Sequence, residues 1–503
     1  MATTSYINNG LEGSCVTVEC NITRGLPSVS IVGMATKAVE ESKERIRSAI
    51  VQSGYQFPKG RIVINLAPAD TPKDSSSLDV SMAIAILAAD KQIKGQVDKY
   101  SFIGELALDG QIRPVRGILG KLISGISQTK TTIIIPSGNQ EQANLLDSDR
   151  IISFKNLKSL VEALNSNQPL LNHLQIKQQL STQKQKVKQT NSLDFGEIIG
   201  QATAKRALLI AAAGGHNILL SGPPGTGKSM LAKAFIGILP SLNKQELLES
   251  TQIHSLSSAV AEIVVYEPPL RMPHHSSSDI SIIGGGHSLR PGEISLAHNG
   301  VLFMDEFPEF SRSSIESLRQ PLEDKKITIA RAQRTAVFPA KFILLATANP
   351  CPCGYFGSTK NCTCTAAEIN RYNKKLSGPI LDRIDIFINV DEVEHASLLS
   401  NNQSVESPSL KKQVHQARQT QLGRQKNQLN AHIPDKMLKN NLKIDKQAET
   451  LLLKASSKMD LSARAYMRTV RVARTIADIE NSEFIKSNHI AEALQYREKQ
   501  NIL

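Results

Sequence analysis

Apolar and polar positions alternate with a period of two through residues 16–22 and 61–66, which predicts half-buried strands, and residues 28–32 read as another. Helical spacing takes over at 38–47, a heavily charged stretch, and at 78–89, an almost uninterrupted apolar run. Strands interleaved with helices predict an α/β layer over about residues 1–165. From 166 to 193 the pattern dissolves into Gln, Lys and Ser, a composition too polar to bury much surface, and a flexible basic linker is expected there. Short apolar runs return at 217–220, 300–304 and 342–349, each the length of a buried strand, with a helical pattern at 230–235. These define a second α/β region, about 194–395. Later the period is helical: 414–428 is basic and Gln-rich, and 446–459, 463–479 and 485–498 carry helical patterns. The chain is read as α/β, closing with a helical region at 405–503.

Between the apolar run at 217–220 and the helical pattern at 230–235 stands Gly222-Pro223-Pro224-Gly225-Thr226-Gly227-Lys228-Ser229. It fits G-x-x-x-x-G-K-[ST] in the strand–loop–helix context that the motif requires. Gly225 and Gly227 let backbone N–H groups curl around phosphate oxygens, and the helix N-terminus adds partial positive charge. Lys228 is expected to reach the β/γ-phosphates, and Ser229 to ligate Mg²⁺. The apolar run at 301–304 ends in Asp305-Glu306. Asp305 is suited to the Mg²⁺ shell and Glu306 to activating a water. ATP and Mg²⁺ are therefore the expected cofactors.

Composition narrows the setting. The chain has 503 residues, 40% hydrophobic and 21% charged, enough for several cores. No run of about 18 apolar residues occurs, so no membrane span is expected. The start lacks the basic-then-apolar layout of a signal peptide, and a cytoplasmic protein is expected. A net charge of +13 favours a polyanionic partner such as nucleic acid, although a basic surface that binds nothing explains it equally well.

Four cysteines form two C-x-C pairs, Cys351/Cys353 and Cys362/Cys364, eight residues apart, which suits a structural tetrahedral Zn²⁺; four reduced thiols are the alternative. His274, His275, His287 and His298 fit no standard ligand set. Residues 322–334 read as a hairpin. Its Lys325, Lys326, Arg331 and Arg334 are candidate DNA-phosphate contacts at a pore; a solvated tip, or for Arg331 and Arg334 a neighbouring subunit's nucleotide, is the alternative.

Residues 194–201 resemble the opening loop of AAA+ ATPases. With the phosphate loop and the Asp-Glu strand end in order, the resemblance extends to three further residues. Asn349 matches the polar sensor beside the γ-phosphate. Arg383 resembles an arginine finger inserted into the neighbour's site, which implies a hexamer; an ion pair with Asp382 or Asp385 is the alternative. Arg464 matches the second sensor in a helical lid, or else is a surface charge at a helix start; Arg468, Arg471 and Arg474 along the same helix read as surface or interface charges. Residues 273–278, 284–286, 290–298 and 349–355 match the Mg-chelatase-like branch of AAA+ proteins, and within it the bacterial ComM/YifB type, over nearly the whole chain. In that branch 256–293 resembles an insert facing the pore.

Residues 72–79 and 104–110 resemble the proteolytic domain of Lon-type proteases. Ser77 falls at the nucleophile position, but the matching lysine position falls on Leu119, which implies a Lon-like fold without peptidase activity unless Lys121 takes that place. The ComM/YifB resemblance implies a hexameric DNA helicase that promotes branch migration in homologous recombination and natural transformation. Its partners would be single-stranded and branched DNA and other recombination proteins. Two other classes stay open: a chelatase-like motor that remodels a protein partner for metal insertion, and a Lon-like unfoldase or protease.

Overall fold

The computed structural model describes residues 1–34, 36–69, 71–73, 76–166, 193–257, 260–286, 289–331, 334–358, 360–392, 406–425, 428–441 and 443–497. The basic stretch expected to be a linker lies outside these from 167 to 192. The chain divides into two compact units, the first comprising 1–187, 244–265 and 330–338, the second comprising 188–243, 266–329 and 339–503.

The first unit is built on a mixed seven-stranded sheet. Its strands lie in the order Ser28–Val32, Arg61–Ala67, Glu12–Thr23, Ala2–Asn9, Tyr100–Phe102, Thr132–Pro136, Ile151–Phe154. Ala2–Asn9 runs antiparallel to Glu12–Thr23, with Ser5 opposite Val16, and the last three strands run parallel. Helix Asp79–Ala89 has residues 79–87 all buried, which explains its apolar run without amphipathic spacing. Its one charge, Asp79, lies 3.0 Å from Nε of Arg45. Burial raises the Asp79 carboxyl to about 6 even though Arg45 opposes the shift. Helix Lys244–Ser257 also belongs to this unit, and its Gln252 side chain donates to the Leu11 carbonyl at 2.6 Å.

The second unit holds a five-stranded parallel sheet in the order Leu270–Arg271, Val301–Met304, Ile343–Ala348, Ile218–Ser221, Ile386–Asn389. Ile218–Ser221, Val301–Met304 and Ile343–Ala348 are buried at every residue, as expected of strands covered on both faces. Helices Ser407–Arg424, Asp435–Asn441, Lys446–Lys458, Ala463–Ile479 and Ser487–Gln495 make the C-terminal region helical. Residues of helix Ala463–Ile479 share one core with the sheet.

Arg468 and Arg474, read from sequence as surface or interface charges, are instead buried. Arg474 pairs with Asp478 at 2.9 Å, and Arg468 lies 3.7 Å from Asp385. Burial pushes the Asp385 carboxyl up, but His216 and Arg468 outweigh it and hold the group at about 2. Among the described residues, no helix is long and apolar enough to cross a membrane.

Candidate nucleotide site

In a parallel sheet the carboxyl ends of neighbouring strands share one edge, and the site is assembled there. Ser221 leads into the phosphate loop, Met304 into Asp305, and Ala348 into Asn349. Gly225 and Gly227 have φ of +84° and +85°, the left-handed region that favours glycine. Gly222 is needed for a different reason, because a Cβ there would meet the Val390 carbonyl oxygen at 2.3 Å. Helix Lys228–Phe235 starts directly after Gly227, so its unsatisfied N–H groups face the loop.

Lys228 is buried and donates to the carbonyls of Gly222 at 2.6 Å and Pro223 at 2.7 Å, and to Oδ1 of Asn349 at 3.3 Å. Burial lowers its pKa to about 8, against the pull of Asp305 and Glu306. Ser229 Oγ donates to Asp305 Oδ2 at 2.9 Å, placing a hydroxyl and a carboxylate together as hard-cation ligands. Thr226 Oγ1 donates to the Pro223 carbonyl at 3.0 Å.

Thr347 escaped the sequence reading. The register that sets Met304 opposite Ala346 brings Thr347 beside Asp305. Its hydroxyl donates to Asp305 Oδ1 at 2.5 Å and accepts the Glu306 backbone N–H at 2.9 Å. Glu306 is exposed and has φ of +51°, a left-handed conformation uncommon for glutamate. One threonine thus orients both acidic residues. A lone hydroxyl in an apolar strand has no signature in sequence.

Arg383 and Arg464 lie elsewhere in the unit. They line a cleft of about 550 Å³ with Lys325, Lys341, Arg468 and Arg471, six cations against the carboxylates Glu323, Asp385 and Asp435. No phosphate-loop residue lines it. Arg383 pairs with Glu323 and donates to the Pro379 carbonyl at 2.6 Å, so its local partner is neither Asp382 nor Asp385. Arg464 is exposed on the first turn of its helix.

Lys325 is half-buried, and Nζ donates to the Leu322 carbonyl at 2.9 Å. Lys326 is exposed at the start of strand Lys326–Arg331. The side chains of Arg331 and Arg334 lie outside the described residues.

The sulfur atoms of Cys351, Cys353, Cys362 and Cys364 lie within 4.8 Å of one another, as one metal ion would need. Backbone N–H groups of Tyr355 and Thr363 hold the Cys353 thiol below its ordinary value, while at Cys362 and Cys364 the backbone N–H groups are outweighed by desolvation and the neighbouring thiols, which push those thiols up. His298 accepts the Lys341 backbone N–H at 3.0 Å, an ordinary structural role, and His287 lies outside the described residues.

Residues 194–398 match the family described as magnesium chelatase, subunit ChlI; 18–139 match subunit ChlI of Mg-chelatase, and 404–497 the ChlI C-terminal family. Competence protein ComM of Haemophilus influenzae is 39% identical over 496 residues, 98% of this chain and 96% of that protein. The chain belongs to the ComM/YifB family of Mg-chelatase-like AAA+ ATPases. Its relative YifB of Escherichia coli K12 is also 39% identical, over 97% of this chain and 95% of YifB. A Lon protease of Mycolicibacterium smegmatis matches partially, 28% identical over 148 residues, 28% of this chain and 19% of the protease. Membership of the ComM/YifB family implies ATP and Mg²⁺ as cofactors.

Proposed function

We propose that this chain is an ATP-hydrolysing AAA+ motor that works as a hexameric ring and drives branch migration of DNA in homologous recombination and natural transformation. The proposed arrangement is a Lon-like region at 1–165 without peptidase activity, a linker at 166–193, the motor at 194–395 and a helical lid at 405–503. The observation that carries the ring is the separation of the cations. The phosphate loop, Asp305, Glu306, Thr347 and Asn349 meet at one edge, while Arg383 and Arg464 share a different cleft. A γ-phosphate at the loop would have Lys228, Ser229 and Asn349 beside it and would take its arginine from a second copy. Such an arginine is worth about 10³–10⁵ in rate.

Within the site, Ser229 and Asp305 would hold Mg²⁺, Glu306 would take a proton from the attacking water, and Asn349 would orient that water. Mg²⁺ held by Ser229 and Asp305 would supply positive charge against the negative charge of the phosphate oxygens. DNA as the polymer moved is supported by the net charge of +13 and by similarity to a protein named for competence. Lys326, Arg331 and Arg334 are the proposed phosphate contacts, with Lys325 as a fourth candidate.

The test is a labelled four-way junction with homologous arms, incubated with protein, ATP and Mg²⁺. Conversion to duplex products is expected with the native chain and absent with Glu306→Gln. Vigorous ATP hydrolysis without conversion of any branched substrate removes the reading in favour of a chelatase-like motor that remodels a protein partner.

A further inference from the structure

Cys351 lies two residues beyond the sensor Asn349, at the end of a strand buried throughout. Cys364 precedes Thr365, whose side chain caps helix Ala366–Asn373. The four thiols therefore join a strand end to a helix start. Cys351 and Cys353 sulfurs are 3.3 Å apart, Cys351 and Cys362 3.7 Å, and Cys353 and Cys362 3.5 Å. Four sulfurs at about 2.3 Å from a tetrahedral zinc stand about 3.8 Å from one another, whereas a disulfide needs about 2.05 Å. The backbone N–H of Phe356 donates to Cys351 Sγ at 3.3 Å and that of Cys353 to Cys364 Sγ at 3.4 Å. Such donors are what charged, metal-bound sulfurs require.

Two contacts lead from this loop to the nucleotide site. Gly354, at φ +86°, lies so close to Pro224 of the phosphate loop that a Cβ there would meet the proline ring at 2.7 Å. The same Cβ would stand 4.0 Å from Cγ of Asn349, and helix Ala366–Asn373 carries the buried Tyr372, whose phenol burial pushes up while the Asn349 backbone opposes the shift. The loop thus touches the phosphate loop on one side and the sensor on the other.

We propose that Cys351, Cys353, Cys362 and Cys364 bind one Zn²⁺ as tetrahedral thiolates, and that this ion fixes Asn349 and Pro224 for hydrolysis, so that loss of the metal switches the ATPase off. The second half rests on the ATPase reading above. Without the cross-link, the strand end and the helix start are tied only by the intervening loop. Asn349 then loses its fixed position beside Lys228 while the phosphate loop itself persists. Nucleotide binding is retained and turnover is lost.

Full-length protein purified without chelator is expected to carry about one zinc per chain by elemental analysis, and its Co²⁺-exchanged form to show the absorption of a tetrahedral thiolate site. Cys362→Ser combined with Cys364→Ser is expected to lose the metal, keep binding a fluorescent ATP analogue, and hydrolyse ATP at least ~tenfold more slowly, as ångström-scale misplacement of a catalytic group does. A parallel measurement avoids dependence on that variant's folding: the native chain is stripped with a mercurial reagent and chelator, then given thiol and Zn²⁺. Activity is expected to leave and return with the metal. Lys228→Ala separates the two readings, because it should lose nucleotide and keep zinc. Well under half an equivalent of zinc with no cobalt spectrum overturns the site. Metal-free protein that hydrolyses at the native rate overturns the coupling. A zinc-loaded native chain with no ATPase at all overturns the ATPase reading and the coupling with it, and leaves the zinc site standing.

Discussion

Ser77 in the first unit and Ser229 in the second each occupy a position that resemblance assigns to chemistry, and their surroundings differ in kind. Ser229 directs its hydroxyl to Asp305, in a cluster that also holds Lys228, Thr347 and Asn349. Ser77 is buried at 1% exposure, with its hydroxyl 3.4 Å from the Tyr6 carbonyl. Leu119, at the lysine position of the protease family, sits in an apolar cluster with Tyr6, Ile118 and Leu122. Lys121 is buried too, and its Nζ lies 3.4 Å from the Arg116 carbonyl. Asp79, two residues beyond Ser77, is committed to an ion pair with Arg45. A hydroxyl becomes a nucleophile or a metal ligand only with a base or a carboxylate in reach and space for the substrate. In the second unit a carboxylate lies in reach of the hydroxyl, whereas Ser77 is buried in the first.

The comparison breaks most visibly at Arg383. Arg383→Ala is expected to lower ATP turnover by about 10³-fold or more while leaving nucleotide binding nearly intact. Lys228→Ala should abolish nucleotide binding. Mixing these two inactive variants is expected to restore part of the activity, because some interfaces then pair an intact loop with an intact arginine. A mixture as dead as its components would contradict catalysis across a subunit boundary. Thr347→Val removes the hydroxyl shared by Asp305 and the Glu306 backbone. It is expected to slow turnover by roughly 10–10²-fold with little change in ATP affinity. Equal losses of rate and affinity would show instead a damaged fold.

A smaller effect follows from the lowered pKa of Lys228, about 8 before nucleotide binds. Phosphate oxygens favour the charged ammonium and raise that pKa again. Binding at about pH 9 should therefore take up close to one proton, and binding at about pH 6.5 almost none. Calorimetry in buffers of different ionisation enthalpy reads this directly. No pH dependence of proton uptake would contradict the lowered lysine pKa. The smallest effect is expected at Ser77→Ala, which should change ATPase rate less than about twofold, with no proteolysis of casein before or after the substitution. Proteolysis lost on substitution would revive the protease reading.

The cluster that forms the candidate nucleotide site is legible in sequence because its residues are compressed into contiguous runs. Gly222 to Ser229 and Asp305-Glu306 each combine a buried strand with a polar end, and the structure brings both to one sheet edge. Strand Ala2–Asn9 was not read, since Thr3, Thr4, Ser5, Asn8 and Asn9 mask the apolar positions that pair it into the sheet. Thr347 was invisible because its role depends on register between strands far apart in sequence. Arg468 was misplaced for a related reason. Charges at helical spacing usually mark a solvated face, but its partner Asp385 lies on another element and draws it inside.

The proposed harnessing of hydrolysis to DNA is tested most directly by the ATPase rate of the full-length chain at low salt, measured without DNA, with single-stranded DNA and with a branched junction. The rate is expected to rise with DNA, most with the junction, and Glu306→Gln to be inactive in all three. A native rate that is the same in all three would contradict the DNA motor and point to remodelling of a protein partner.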